Sequence, residues 1–184
     1  MSSVDKCSSC PVGWTLFKIE GKQECFKYMG RRKYSQAEYI CKQLGARVPL
    51  PENKVQNEDF LNSFLQIKPK STWITLGLSD AKTEGTFTKS DGQIPKYVNW
   101  GLARPQGSQT IRTDYDSVYM LTVSPNVWSM KKGTWSDYKE NFAGDTICQL
   151  NCGGEWQSYD TACCLQNGIE NINMIFKKLF FLML

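Results

Sequence analysis

The sequence predicts a mixed α/β domain of the α+β kind, with two helices, short antiparallel strands and one long loop. Three observations lead there. Two apolar stripes at helical spacing lie between residues 35 and 66. Short runs rich in aromatic and β-branched residues stand before and after them. From Ser90 to Thr113 the chain is rich in Gly, Pro, Ser and Gln. Helices set apart from a run of short strands point to α+β architecture. A loop of that length inside a compact domain is usually functional.

The elements follow in order. Residues 10–28 alternate aromatic and polar positions (Trp14, Phe17, Cys25, Phe26, Tyr28), which predicts two strands joined through Glu20-Gly21-Lys22. Ser35 with Glu38 is read as a capping box that opens the first helix. Ala37, Ile40, Cys41 and Leu44 share a face, and Gly45 ends the helix. Phe60, Leu61, Phe64 and Leu65 give a second buried stripe within 53–66, stopped by Pro69. A strand is expected at Trp73–Leu78, with later strands at Ser117–Val123, Val127–Met130 and Thr146–Leu150.

Composition limits the function classes. Eight cysteines in 184 residues point to an oxidising compartment and a disulfide framework. Zinc is not expected: the chain has no histidine, and only Cys7/Cys10 has tight Cys-x-x-Cys spacing. Histidine-dependent nucleophilic catalysis is excluded for the same reason, and no pair of carboxylates stands out, so the chain is not read as an enzyme. A net charge of +4 is mild, and Arg31-Arg32-Lys33 is a solvated loop rather than a nucleic-acid contact.

Cys10-Pro-Val-Gly-Trp14 with Cys25, Tyr34-Ser35-Gln36-Ala37-Glu38 with Cys41 through Ala46, and Asn57-Glu58-Asp59-Phe60-Leu61 occur in that order. Trp73 to Leu78, Thr83-Glu84-Gly85-Thr86-Phe87, Ser90-Asp91-Gly92, Asn99-Trp100, Trp135-Ser136-Asp137 and Ile147-Cys148 follow. Over residues 10–150 this series resembles the C-type lectin-like domain. The resemblance implies disulfides Cys10–Cys25 and Cys41–Cys148. It also implies an extracellular recognition module, secreted or part of a membrane-protein ectodomain, whose ligand is a glycan or a protein. The family's further bridge in the binding half has no counterpart: Ser117 stands at one of its positions, and no cysteine lies between Asp137 and Cys148.

In sugar-binding members a calcium ion in the long loop is held by carboxylate and amide oxygens, as a hard cation needing six to eight oxygens requires. The triplet expected after Trp100 is Arg104-Pro105-Gln106 here. Pro105 fits the turn and Gln106 offers an oxygen, but Arg104 has no acceptor and a fixed charge. Ser136 replaces an expected amide, while Asp137 remains a candidate ligand. Tyr115 aligns with an expected acid, with Asp114 and Asp116 beside it. The principal calcium site is therefore expected to be degraded, with the Arg104 side chain swinging into solvent to avoid the ion. Asp80, Glu84 and Asp116 match an accessory calcium position; Asp80 and Glu84 are otherwise turn residues of a solvated loop, the reading preferred. Trp100 and Trp135 are expected to pack the loop base rather than to stack on sugars.

Cys152-Gly-Gly-Glu-Trp156 through Tyr159, with Cys163, parallels the start of the domain at Cys10 and Trp14. Residues 1–9 and 151–184 are thus read as tails, the second as the truncated start of another such domain. Cys7 and Cys164 have no assigned partners. Residues 1–7 lack the apolar run of a signal peptide, which fits the disulfide reading only if the chain is a fragment or an incomplete gene model. The apolar run Met174–Leu184 contains Lys177 and Lys178 and is too short to span a bilayer. Two functions remain: carbohydrate binding with a weakened calcium site, or calcium-independent binding of a protein ligand.

Overall fold

The computed structural model describes residues 10–106, 114–123 and 130–151. Residues 1–9 and 152–184, the strand expected at Val127–Met130 except for Met130, Trp128, and both Cys7 and Cys164 lie outside the described residues. Strands β1 (Thr15–Ile19) and β2 (Lys22–Arg32) form a hairpin in register Ile19↔Lys22. Its tip is Glu20-Gly21, both at positive φ (51° and 76°), the pattern of a tight two-residue turn. β2 runs further than the aromatic alternation suggested, because it pairs along its length with β6 (Gly144–Asn151). The ladder shifts register between Tyr28 and Gly30. Gly30, at φ 84°, takes the backbone conformation that such an irregularity asks for and a side chain resists.

Helix α1 covers Tyr34–Gln43 and α2 covers Lys54–Ile67. The Ser35/Glu38 capping box is not formed. The N-cap is Lys33, whose N–H donates to Gln36 Oε1 at 3.4 Å. The helix begins earlier because Tyr34 is itself pulled into the core. Gly45 follows the helix at φ 65°, as a left-handed C-terminal residue does. At α2 the Asn53 side chain accepts from the Gln56 N–H, closing the first turn.

Strands β3 (Trp73–Ser79), β4 (Ser117–Leu121) and β5 (Trp135–Tyr138) complete one six-stranded sheet in the order β1-β2-β6-β3-β4-β5. Only the β3–β6 junction is parallel. β5 was expected as a motif, not as a strand. The main core lies between α2 and the sheet, where Phe60, Leu61 and Phe64 meet Phe26, Ile74, Leu76, Leu78, Trp135 and Ile147. Close approach requires glycine at Gly77, where a Cβ would fall 2.5 Å from the Val48 carbonyl oxygen.

A second cluster forms under α1 from Trp14, Cys25, Ala37, Cys41, Val48, Cys148 and Leu150. It contains both disulfides, Cys10–Cys25 and Cys41–Cys148, as the resemblance implied. The second bridge spans 107 residues and ties α1 to the last strand.

Candidate functional site

The base of the long loop is sewn to β5 by backbone bonds. Trp135 N–H donates to Asn99 O at 2.7 Å, and Gly101 N–H donates to Trp135 O at 2.8 Å. Asn99 Nδ2 and Asn57 Nδ2 both donate to Gly133 O, at 2.9 and 3.0 Å. Asn57 Oδ1 in turn accepts from Trp135 Nε1 at 2.7 Å. The loop base therefore rests on one buried amide of α2. Trp135 is fully buried and meets Trp100 and Tyr97 edge to face at 6.2 and 5.6 Å. Both Trp100 and Trp135 pack the base rather than offering a platform.

From Gly101 the chain turns through Ala103, at φ 55°, into Arg104, and the Arg104–Pro105 peptide is cis. This turn delivers Arg104 to Asp137 on β5. The guanidinium does not swing out to water. Its side chain is 10% exposed, and Nη1 lies 3.6 Å from Oδ1 of Asp137, which is 0% exposed. That distance is an ion contact rather than a hydrogen bond. The guanidinium also lies over the Tyr138 ring, 5.6 Å from its centroid. The inward turn has a simple cause. A buried carboxylate carries a large desolvation cost unless a charge compensates it, and the Arg104 guanidinium is a cation within reach.

Tyr138 lies in a row of near-parallel rings, stacked 4.6 Å from Phe142 and 6.4 Å from Tyr115. Lys139 sits over Tyr115 and pairs with Asp114 at 2.8 Å. Asp114 is thereby turned toward Lys139. Ser136 is fully buried, its hydroxyl donating to the Asp137 carbonyl at 3.2 Å. Ser117, at the position of the missing cysteine, is buried opposite Tyr138. Gln106 is half-buried where the described part of the loop stops. Sequence reasoning missed Asn57, Tyr138 and Phe142 as site-builders. Asn57 lies within a quoted motif, but its partner is 78 residues away.

Asp80, Glu84 and Asp116 meet at the turn after β3. Asp80 is a turn residue, yet it is not solvated: it is 1% exposed. Its Oδ2 accepts from Gly85 N–H at 3.0 Å, and its carbonyl accepts from Thr83 N–H at 2.9 Å. Burial first, then the neighbouring Glu84 and Asp116 carboxylates, push its carboxyl up to about 6. Burial likewise raises Asp116, helped by Glu140 and Asp114. Among the described residues, no group of three or more His, Cys, Asp or Glu is arranged to hold a metal ion. No helix among them is long and apolar enough to cross a membrane.

Two helices, a mostly antiparallel sheet and a loop base sewn to β5 are the architecture of the C-type lectin fold. The Lectin C-type domain model matches residues 30–150, and the chain belongs to that family. It is 33% identical over 100 residues to the mouse low affinity immunoglobulin epsilon Fc receptor, covering 54% of this chain and 28% of that protein. It is 29% identical over 126 residues to bovine pulmonary surfactant-associated protein D, covering 68% and 28%. The chain thus spans about a quarter of the length of these curated relatives. Among solved structures, the human scavenger receptor C-type lectin carbohydrate-recognition domain superposes with a TM-score of 0.62 at 17% identity, covering 78% of this chain and 99% of that one. A calcium-independent type II antifreeze protein superposes at 0.57 with 20% identity, covering 79% and 96%. At these identities the structures establish the fold alone.

Proposed function

We propose that this chain is an extracellular, non-enzymatic recognition domain that binds its ligand at the long loop without calcium at the family's principal position. The contact between Arg104 and Asp137 carries this reading. Asp137 is the acid best placed to hold an ion there, and its charge is already met by a guanidinium. Arg104 has no acceptor to offer a cation. The residues therefore do not fit a calcium ion whose affinity depends on the number of charged ligands, and no step of recognition is routed through one. The disulfides and the family support the extracellular setting.

A ligand bound this way makes direct contacts with protein side chains. Sugar hydroxyls lose the ion that would chelate them, which favours a protein ligand. Glycan binding remains the second reading, supported by the carbohydrate-recognition domains that share the fold. Calcium titration by calorimetry, followed by a glycan array with and without chelator, tests the proposal. The expected result is no calcium heat below millimolar concentration and array signals unchanged by chelator. A micromolar calcium dissociation constant overturns it. So does calcium-dependent monosaccharide binding that Asp137→Ala abolishes.

A further inference from the structure

The turn that carries Arg104 into the site is held against its own backbone preference. Arg104 N–H donates to Gly101 O at 3.2 Å, closing a four-residue turn whose third residue is Ala103 at φ 55°. A residue with a Cβ resists that left-handed conformation, and turns that need it there ordinarily take glycine or asparagine. Glu20 is the other non-glycine residue at positive φ among the described residues. It lies at a hairpin tip, where the β1–β2 ladder enforces the turn. Ala103 has no such ladder. It is exposed, and Leu102 before it is 72% exposed, so side-chain packing does not hold the turn either.

The two ends of the turn differ. Gly101 is fixed: its N–H donates to Trp135 O, and a Cβ there would fall 2.5 Å from Met130 Cε. Arg104 is held by its side chain, through the ion contact with Asp137 and the Tyr138 ring. Its Nη1 is buried with no hydrogen-bond partner among the described residues. A buried donor left so gives back part of what the ion contact contributes. The inward position of Arg104 thus combines a strained backbone with an incompletely satisfied guanidinium. Strain of this kind collects at ligand clamps and switch segments.

We propose that Ala103 is the positioning residue of the loop site: its left-handed backbone holds Arg104 on Asp137, and its strain makes residues 102–104 a latch that swings out from a Gly101 pivot and bares Asp137 and Tyr138. The base beneath stays bonded through Asn57, Asn99 and Trp135. The closed fraction is set at this one position. Asparagine tolerates positive φ, whereas a β-branched valine is an outlier there. Glycine is the poorer probe, since it frees the open state as well. The latch rests on the reading above as to where ligand binds, but its opening is measured without ligand or calcium, so either can fail alone.

The test is amide hydrogen exchange of the isotope-labelled full chain, corrected for intrinsic rates and read at Arg104 and Trp135. The ring-current shift that Tyr138 imposes on the Arg104 side chain is followed with it. In the unaltered protein Arg104 N–H should exchange at least about tenfold faster than Trp135 N–H, the mark of opening confined to the turn. Ala103→Asn should slow exchange at Arg104 roughly fivefold and keep the ring-current shift, while Ala103→Val should speed it at least as much and abolish the shift. Neither should alter Trp135. Rates at Arg104 that move in neither variant overturn the proposal. So does a shift kept in full by Ala103→Val, which would mean that the turn does not position the guanidinium. Exchange at Trp135 that changes in step with Arg104 also overturns it, since the whole domain would then be opening. Should Ala103→Val not fold, the rates of Ala103→Asn against the unaltered chain decide.

Discussion

At the scale of single residues, Arg104 is the position on which the binding half turns. Its guanidinium serves Asp137 as a covalently attached counter-ion. Removing one partner of a buried pair leaves the other uncompensated, which costs on the order of 3 kcal/mol. Arg104→Ala should therefore lower the urea midpoint clearly, whereas the double variant Arg104→Met with Asp137→Asn should recover much of the loss. Arg104→Glu should also make calcium binding stronger in calorimetry. Asp80 gives a pH dependence. Its folded carboxyl titrates at about 6 against an ordinary 3.8, so the folded state holds the proton more tightly. The stability contributed is complete below about pH 4 and is lost as pH rises through about 6. The difference between 3.8 and about 6 corresponds to an effect on the order of 3 kcal/mol. Asp80→Asn keeps the acceptor for Gly85 N–H, so its melting temperature should fall less than the unaltered protein's between pH 4 and 7.

At the scale of elements, α2 acts as the support for a loop it does not belong to. Asn57 meets Trp135 of β5 and the Gly133 carbonyl from a single buried side chain. Asn57→Leu leaves the buried Trp135 indole N–H without its acceptor, while the Gly133 carbonyl keeps the Asn99 amide. The expected cost is about 1–3 kcal/mol for the orphaned indole group. Asn57→Asp keeps an acceptor for the indole and should cost less, which denaturant titration of both variants will check. The Trp135 environment should change in parallel, read as altered near-ultraviolet circular dichroism in Asn57→Leu.

At the scale of the whole molecule, the Cys41–Cys148 bridge closes a span of 107 residues between α1 and β6. The chain-entropy estimate for such a loop is about 4–5 kcal/mol, so replacing both cysteines by serine should approach that loss in equilibrium unfolding. We also propose that the folded unit is complete near Leu150, because β6 ends there with its ladder to β2 made. A chain cut after Asn151 should then melt within a degree or two of the full one. A drop of many degrees would mean that residues 152–184 pack on the domain and are no truncated second copy.

Much of the fold was legible because its signals are local or rest on order. The apolar stripes of α1 and α2, the hairpin tip at Glu20-Gly21 and the breaker at Gly45 act over a few residues, so spacing alone reveals them. The disulfide pairs came from the ordered motifs of the family, not from spacing. The start of α1 was misplaced because a buried Tyr34 outweighs a capping preference of about 1 kcal/mol. The site was legible as residue types, Arg104 and Asp137 among them, but not as an arrangement. Whether Arg104 turned outward or inward depended on the fold seating Asp137 at zero exposure and bringing the loop base against β5. Asp80 shows the same limit: its type reads as a turn residue, and only packing against Asp116 and Gly85 made it a buried acid. Local chemistry is written in the sequence one residue at a time, whereas desolvation is set by everything that closes around a side chain. The charges of this protein were therefore visible from the start, and their pairing was decided by the tertiary structure.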